Sequence, residues 1–92
     1  MSDAMDRNKN KNGTNAIVSV SVKSGVAASR VADNLAKLEI SKVYESTGHR
    51  DIYCIINAKN IEHLNKIIDK IRATDGVGDT ETMILLRTAK DE

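Results

Sequence analysis

Between Ala16 and Lys23 the chain alternates without a break, with Val18, Val20 and Val22 on one side and Ser19, Ser21 and Lys23 on the other. A period of two predicts a β-strand with one dry and one wet face. Ser24-Gly25 ends it, and Ser24 is placed to cap the helix that follows. From Val26 to Leu38 the apolar positions Ala27, Ala28, Val31, Leu35 and Leu38 recur at steps of three and four, which is the period of a helix. Lys42–Thr47 carries many polar residues and predicts a weak strand at a sheet edge. Gly48-His49-Arg50 is a tight connection. Asp51–Ala58 is the strongest strand and is apolar on both faces, as a central strand covered from two sides must be.

Asn60 is a good N-cap, and Ile61, Leu64, Ile67, Ile68 and Ile71 make an apolar stripe along a second helix. Asp75-Gly76 stops that helix, with Gly76 suited to the left-handed C′ position. Thr80–Arg87 predicts the last strand, with Ile84 and Leu86 on one face and Met83 and Leu85 on the other. The order β-α-β-β-α-β, with each crossover right-handed, has one favoured solution. It is an α+β ferredoxin-like sandwich: a four-stranded antiparallel sheet, the first and third strands central, both helices on one face. Two helices cover one face only, yet the third and fourth strands are apolar on both. One set, either Ile52/Cys54/Ile56 or Tyr53/Ile55, is left as a contiguous apolar patch of a kind monomers rarely expose. The expectation is a two-fold dimer packed sheet on sheet.

Composition narrows the function classes. Ninety-two residues make one domain, and the absence of Trp, Phe and Pro leaves an aliphatic core. A formal net charge of +1 argues against a large nucleic-acid footprint. Cys54 stands alone, which excludes an internal disulfide and fits a reducing, cytoplasmic setting. No segment reads as a secretory signal or a membrane span. Met1 to Thr14 is polar and predicts a disordered tail.

The richest segment for chemistry is Thr47-Gly48-His49-Arg50-Asp51. Gly48 permits a sharp turn and leaves amides open to a ligand oxygen, and Asp51 can hold an ammonium group. The architectural reading stands beside this: a turn glycine, and an aspartate that satisfies loop amides. Asp75-Gly-Val-Gly-Asp79 follows a helix instead of preceding one and is too short for a calcium loop, so phosphate and metal binding are not expected. Thr80 and Thr82 share one strand face and offer hydroxyls to a polar ligand. His49 and His63 have no partner at metal-ligand spacing, Cys54 has no base at hand, and no nucleophile elbow is present. Neither a catalytic residue nor a cofactor is expected.

Taken together, Thr47-Gly48-x-x-Asp51 leading into an apolar strand and Gly76-Val77 followed by Thr80-x-Thr82-x-Ile84-Leu85 resemble the C-terminal effector-binding (RAM) domain of Lrp/AsnC transcription regulators, over about Asn15 to Lys90. The resemblance implies a stand-alone sensor of an amino acid or related metabolite. It implies dimers that assemble into larger rings, with effectors bound in clefts between dimers. Gly48, His49, Arg50 and Asp51 would then grip the effector's charged groups, with Thr80 and Thr82 near the cleft. Such a module would lack its own helix-turn-helix, make no direct DNA contact, and co-assemble with full-length regulators. Arg50 departs from the pattern, which often has an aromatic residue there. The alternative is a small dimeric α+β-barrel enzyme of the oxygenase kind, which needs a cavity between helices and sheet. An RNA-binding sheet would need more exposed aromatics than Tyr53.

Overall fold

A computed structural model describes residues 13–91. The expected polar tail therefore lies outside the described residues except for Gly13 and Thr14, and Thr14 already belongs to the first strand. The elements are β1 (Thr14–Val22), α1 (Ala28–Leu35), β2 (Lys42–Glu45), β3 (Ile52–Ala58), α2 (Ile61–Arg72) and β4 (Val77–Leu85). The strands form one sheet in the order β2-β3-β1-β4, each neighbouring pair antiparallel. This is the expected ferredoxin-like α+β arrangement.

One face of the sheet supplies Ala16, Val18 and Val20 from β1 and Ile52, Cys54, Ile56 and Ala58 from β3. Val31, Ala32 and Leu35 of α1 and Leu64, Ile67, Ile68 and Ile71 of α2 close over them. Each fully buried Val, Leu or Ile contributes about 1.5–3 kcal/mol by leaving water, before the entropy of ordering is charged against it. The β-branched residues sit in the strands, where their stiff χ1 fits the pleat. Asn60 caps α2 as expected, its Oδ1 accepting the His63 N–H at 2.8 Å.

Three local expectations need correction. Ser24 does not cap α1: the N-cap is Ala27, which makes no side-chain hydrogen bond. The chain first makes a turn in which the Val26 N–H donates to the Lys23 carbonyl at 3.1 Å and Gly25 takes φ +84°, so Ser24 is spent inside that turn. Gly76 is not at the C′ position, because α2 ends on Ala73 as C-cap. It is the third residue of a turn closed by the Val77 N–H on the Thr74 carbonyl, where φ +91° demands glycine. A Cβ there would also lie 2.7 Å from Val31 Cγ2. Finally, β4 begins at Val77 instead of Thr80. The β1–β4 register shifts between Val20 and Val22, and the Ser21 hydroxyl accepts the Asp79 N–H at 3.0 Å, holding this irregular start in the sheet.

The opposite face has no helix. Register aligns Ile55, Ile17 and Met83 in one row across β3, β1 and β4, and Tyr44 beside Tyr53 in the next. Leu85 extends the apolar area. Ile17, Tyr53 and Ile55 are half-buried, whereas Tyr44, Met83 and Leu85 are 52%, 56% and 44% exposed. No element formed by the described residues lies over them.

Candidate functional site

The Gly48–Asp51 loop connects edge strand β2 to central strand β3, at the end of the sheet where β1 stops. The Asp51 N–H donates to the Val20 carbonyl at 3.1 Å, and the Asp51 carbonyl accepts the Ser46 N–H at 2.8 Å. Its Oδ2 accepts the Val22 N–H at 2.8 Å. One carboxylate oxygen thus closes the sheet where β1 is irregular, on a strand amide of β1 instead of the amides of its own loop. Gly48 has no left-handed φ, and its N–H is taken by Ser46 Oγ at 3.1 Å, so that amide is not open and the turn does not demand glycine. A Cβ on Gly48 would make only an ordinary contact at 3.5 Å. His49 is exposed at the loop tip. Arg50 reaches back over the sheet to Glu81 at 3.5 Å.

Glu81 lies opposite Ser19, in the row next to Met83, so Arg50 points to the open face. Thr80 and Thr82 lie opposite Val20 and Val18, whose side chains are buried under the helices. The two groups of residues named from sequence therefore fall on opposite faces of one sheet. The structure does not bring them together within one chain.

On the helix side, Thr82 lines a crevice of about 340 Å3 between α2 and the β4 edge. Its apolar lining is Leu64 and Ile68, which are buried, with Ile61 and Ile84 more exposed, and its polar groups are Asn65, Asp69, Arg72 and Thr82. The Arg72 Nε–H donates to Thr80 Oγ1 at 3.3 Å, which fixes the guanidinium beside the threonines. The crevice holds one cation and one anion over an aliphatic floor. That arrangement matches a zwitterion with a modest apolar part, the carboxylate toward Arg72 and the ammonium toward Asp69. Sequence reading missed Asn65, Asp69 and Arg72. Their spacing of four and three puts them on one helical stripe beside the apolar one, a signal that was present, but only the fold places that stripe against Thr82.

Other chemistry is sparse. Burial pushes the Cys54 thiol up to about 11, so it is protonated and inert at neutral pH. Among the described residues no three His, Cys, Asp or Glu side chains are grouped to hold a metal ion. No helix among the described residues is long and apolar enough to cross a membrane.

Comparison with known proteins places this geometry in context. The model of the Lrp/AsnC ligand binding domain matches residues 15–92. The HTH-type transcriptional regulator FL11 of Pyrococcus horikoshii is 48% identical over 77 residues, which cover 83% of this chain and 50% of the regulator. The chain thus spans about half the length of these curated regulators. A 73-residue stretch is also 37% identical to part of a homocitrate synthase of Saccharolobus islandicus, covering 78% of this chain and 16% of that protein. In fold the chain is similar to the transcriptional regulator NMB0573 of Neisseria meningitidis, solved as its L-Met complex, with TM-score 0.77, 19% identity, and coverage of 92% of this chain and 56% of that one. The family match over the whole folded part, joined to a 48% identical regulator domain, settles the assignment: this chain belongs to the Lrp/AsnC ligand-binding domain family.

Proposed function

We propose that this domain senses an amino acid or closely related metabolite and reports it by changing how its dimers assemble. The observation that carries the reading is the division of the expected site. Thr82 lines a crevice on the helix side and Thr80 holds its Arg72, while the Gly48–Asp51 loop turns Arg50 toward the other face. One small effector meets both only where two copies are apposed, so binding and assembly are linked by mass action.

The apolar open face gives the basic unit, a second copy of this chain packed sheet on sheet. A standard two-fold interface removes about 1,600 Å2, somewhat more than half of it apolar. At about 25 cal/mol per Å2 this is about 20 kcal/mol gross, which exceeds the roughly 4–15 kcal/mol cost of association. The L-Met complex of the Neisseria regulator supports the effector class. The domain-sized match inside a homocitrate synthase supports a module that is used in more than one protein setting. Full-length cytoplasmic regulators of the same family are the natural partners for co-assembly. The oxygenase alternative is not favoured, because aliphatic side chains fill the space between helices and sheet.

The test is a thermal-shift panel of amino acids and common metabolites, read alongside light scattering. An effector at a hundred times its Kd stabilises the bound state by about 2.7 kcal/mol, enough for a clear rise in Tm, and changes the assembly size. A panel in which no compound moves either readout contradicts the sensor reading.

A further inference from the structure

Arg72 is the last residue of α2, and its Nε–H donates to Thr80 Oγ1 on β4 at 3.3 Å. Arg72 lines the α2–β4 crevice, whereas Thr80 stands outside its lining. The bond therefore takes hold of the guanidinium from beyond the crevice. It also uses the nitrogen that lies nearest the stem. A guanidinium meets a carboxylate side-on, through Nε and one Nη, or end-on, through Nη1 and Nη2. With Nε given to Thr80, the end-on fork is what is left, and neither Nη has a partner among the described residues. Asp69 precedes Arg72 by three residues, a spacing at which such charges pair on a helix surface. Here no ion pair joins them, and the Asp69 carboxylate has no other partner among the described residues. Arg72 is drawn to β4 instead, so the cation and the anion of the crevice stay apart.

We propose that Thr80 is a positioning residue of the crevice: it holds Arg72 away from Asp69 and presents the end-on fork to a free carboxylate, so that the crevice prefers an α-amino acid to its amide. Its place in signalling rests on the proposed sensor function; the preference for a free carboxylate does not. A carboxylate accepts both N–H bonds of the fork, whereas a carboxamide offers a single oxygen and sets its own NH2 against the second Nη. The amide keeps the ammonium that Asp69 would hold. The ratio of acid to amide affinity therefore reports the fork and not the rest of the crevice. Without the Thr80 hydroxyl, Nε is released and Arg72 can fold onto Asp69, and the fork is lost. The bond lies at the surface, so its removal weakens the preference without abolishing binding.

The test is an NMR titration of the isotope-labelled chain with L-methionine, the amino acid held by the Neisseria regulator, and with L-methioninamide, following the Arg72 Nε–H and the Thr82 amide. The wild-type chain binds the acid roughly tenfold or more tightly than the amide, and both signals move. In Thr80→Val the preference narrows roughly threefold to tenfold, and Thr80→Ser, which keeps the hydroxyl, retains it. A threonine that only supports the strand would weaken both compounds alike and leave the ratio unchanged, so an unchanged ratio in Thr80→Val overturns the positioning role. Equal loss in Thr80→Ser overturns it too, as does L-methionine that leaves both signals unmoved up to its solubility. A panel compound that changes the assembly while Arg72 and Thr82 stay still overturns the fork and leaves the sensor reading standing. L-methionine that moves both signals and shows the preference, in a panel where no compound changes assembly or Tm, supports the fork and contradicts the sensor reading.

Discussion

The two faces of this sheet are built from the same strands and the same residue types, yet they meet different surroundings. On the helix side Ala16, Val18, Val20, Ile52, Cys54 and Ile56 are 0% exposed. On the other, Ile17 and Ile55 stand half-buried beside Met83 at 56% exposure and Tyr44 at 52%. The difference lies in what covers them. Two helices of this chain close the first face, and no described element closes the second. Strands apolar at both parities specify two dry faces, and one chain supplies the lid for only one. The covered face accounts for why the domain folds; the open face is the surface on which the proposed dimer rests.

Mutations separate these roles. The largest effect belongs to the covered face: Ile56→Ala leaves a cavity under the helices and costs about 2–5 kcal/mol, seen in denaturant unfolding at every protein concentration. Met83→Lys puts a charge on the open face, in the row shared with Ile17 and Ile55. Its dimer weakens by roughly a hundredfold or more, read by analytical ultracentrifugation, while circular dichroism of the separated chains stays native. An Ile56→Ala loss that depends on concentration, or a Met83→Lys chain that stays dimeric, would merge the two faces into one role.

Arg72→Ala tests the crevice, which opens on the helix side at the β4 edge. Effector affinity falls about tenfold to a hundredfold by calorimetry, with the oligomer in the absence of effector unchanged. Asn60→Ala removes the acceptor for the His63 N–H and costs about 1 kcal/mol in thermal unfolding, a measure of how much the helix lid depends on its cap. The smallest effect is that of Glu39. The hydrogen bond from His63 lowers its carboxyl below the usual 4.5. A depressed folded-state value gives stability that is present above the unfolded value and lost as pH falls through the folded one. A pH series of Tm therefore differs between wild type and Glu39→Gln only in acid, and the difference is slight because the carboxylate faces water.

The faces were legible in sequence because side-chain period survives without knowledge of contacts. The valine alternation named Val18 and Val20 of the core, with Val22 only partly buried, the two-sided Asp51–Ala58 run and the Ile61–Ile71 stripe named most of the rest, and the weak Lys42–Thr47 strand named an edge, found over Lys42–Glu45. What escaped depended on local geometry that composition conceals. Gly78 and Asp79 look like loop residues, yet they are strand residues. A Cβ on Gly78 would come within 3.0 Å of the Ser21 carbonyl oxygen, so the glycine permits β1 and β4 to approach there. Ala27 caps α1 without a side-chain acceptor, so the pattern rules offered Ser24 instead. Ile61 fits the α2 stripe by spacing but is 50% exposed at the crevice mouth. The crevice itself needed the β1–β4 register, which sets Thr82 opposite Val18 and turns it toward the helices.

The most direct test of the account is the molar mass of the purified chain by sedimentation equilibrium, from sub-micromolar to tens of micromolar. The account predicts twice the single-chain mass or a multiple of it, with a dissociation that Met83→Lys shifts to higher concentration. A single-chain mass across the whole range, with the open face still accessible to an apolar dye, would contradict it.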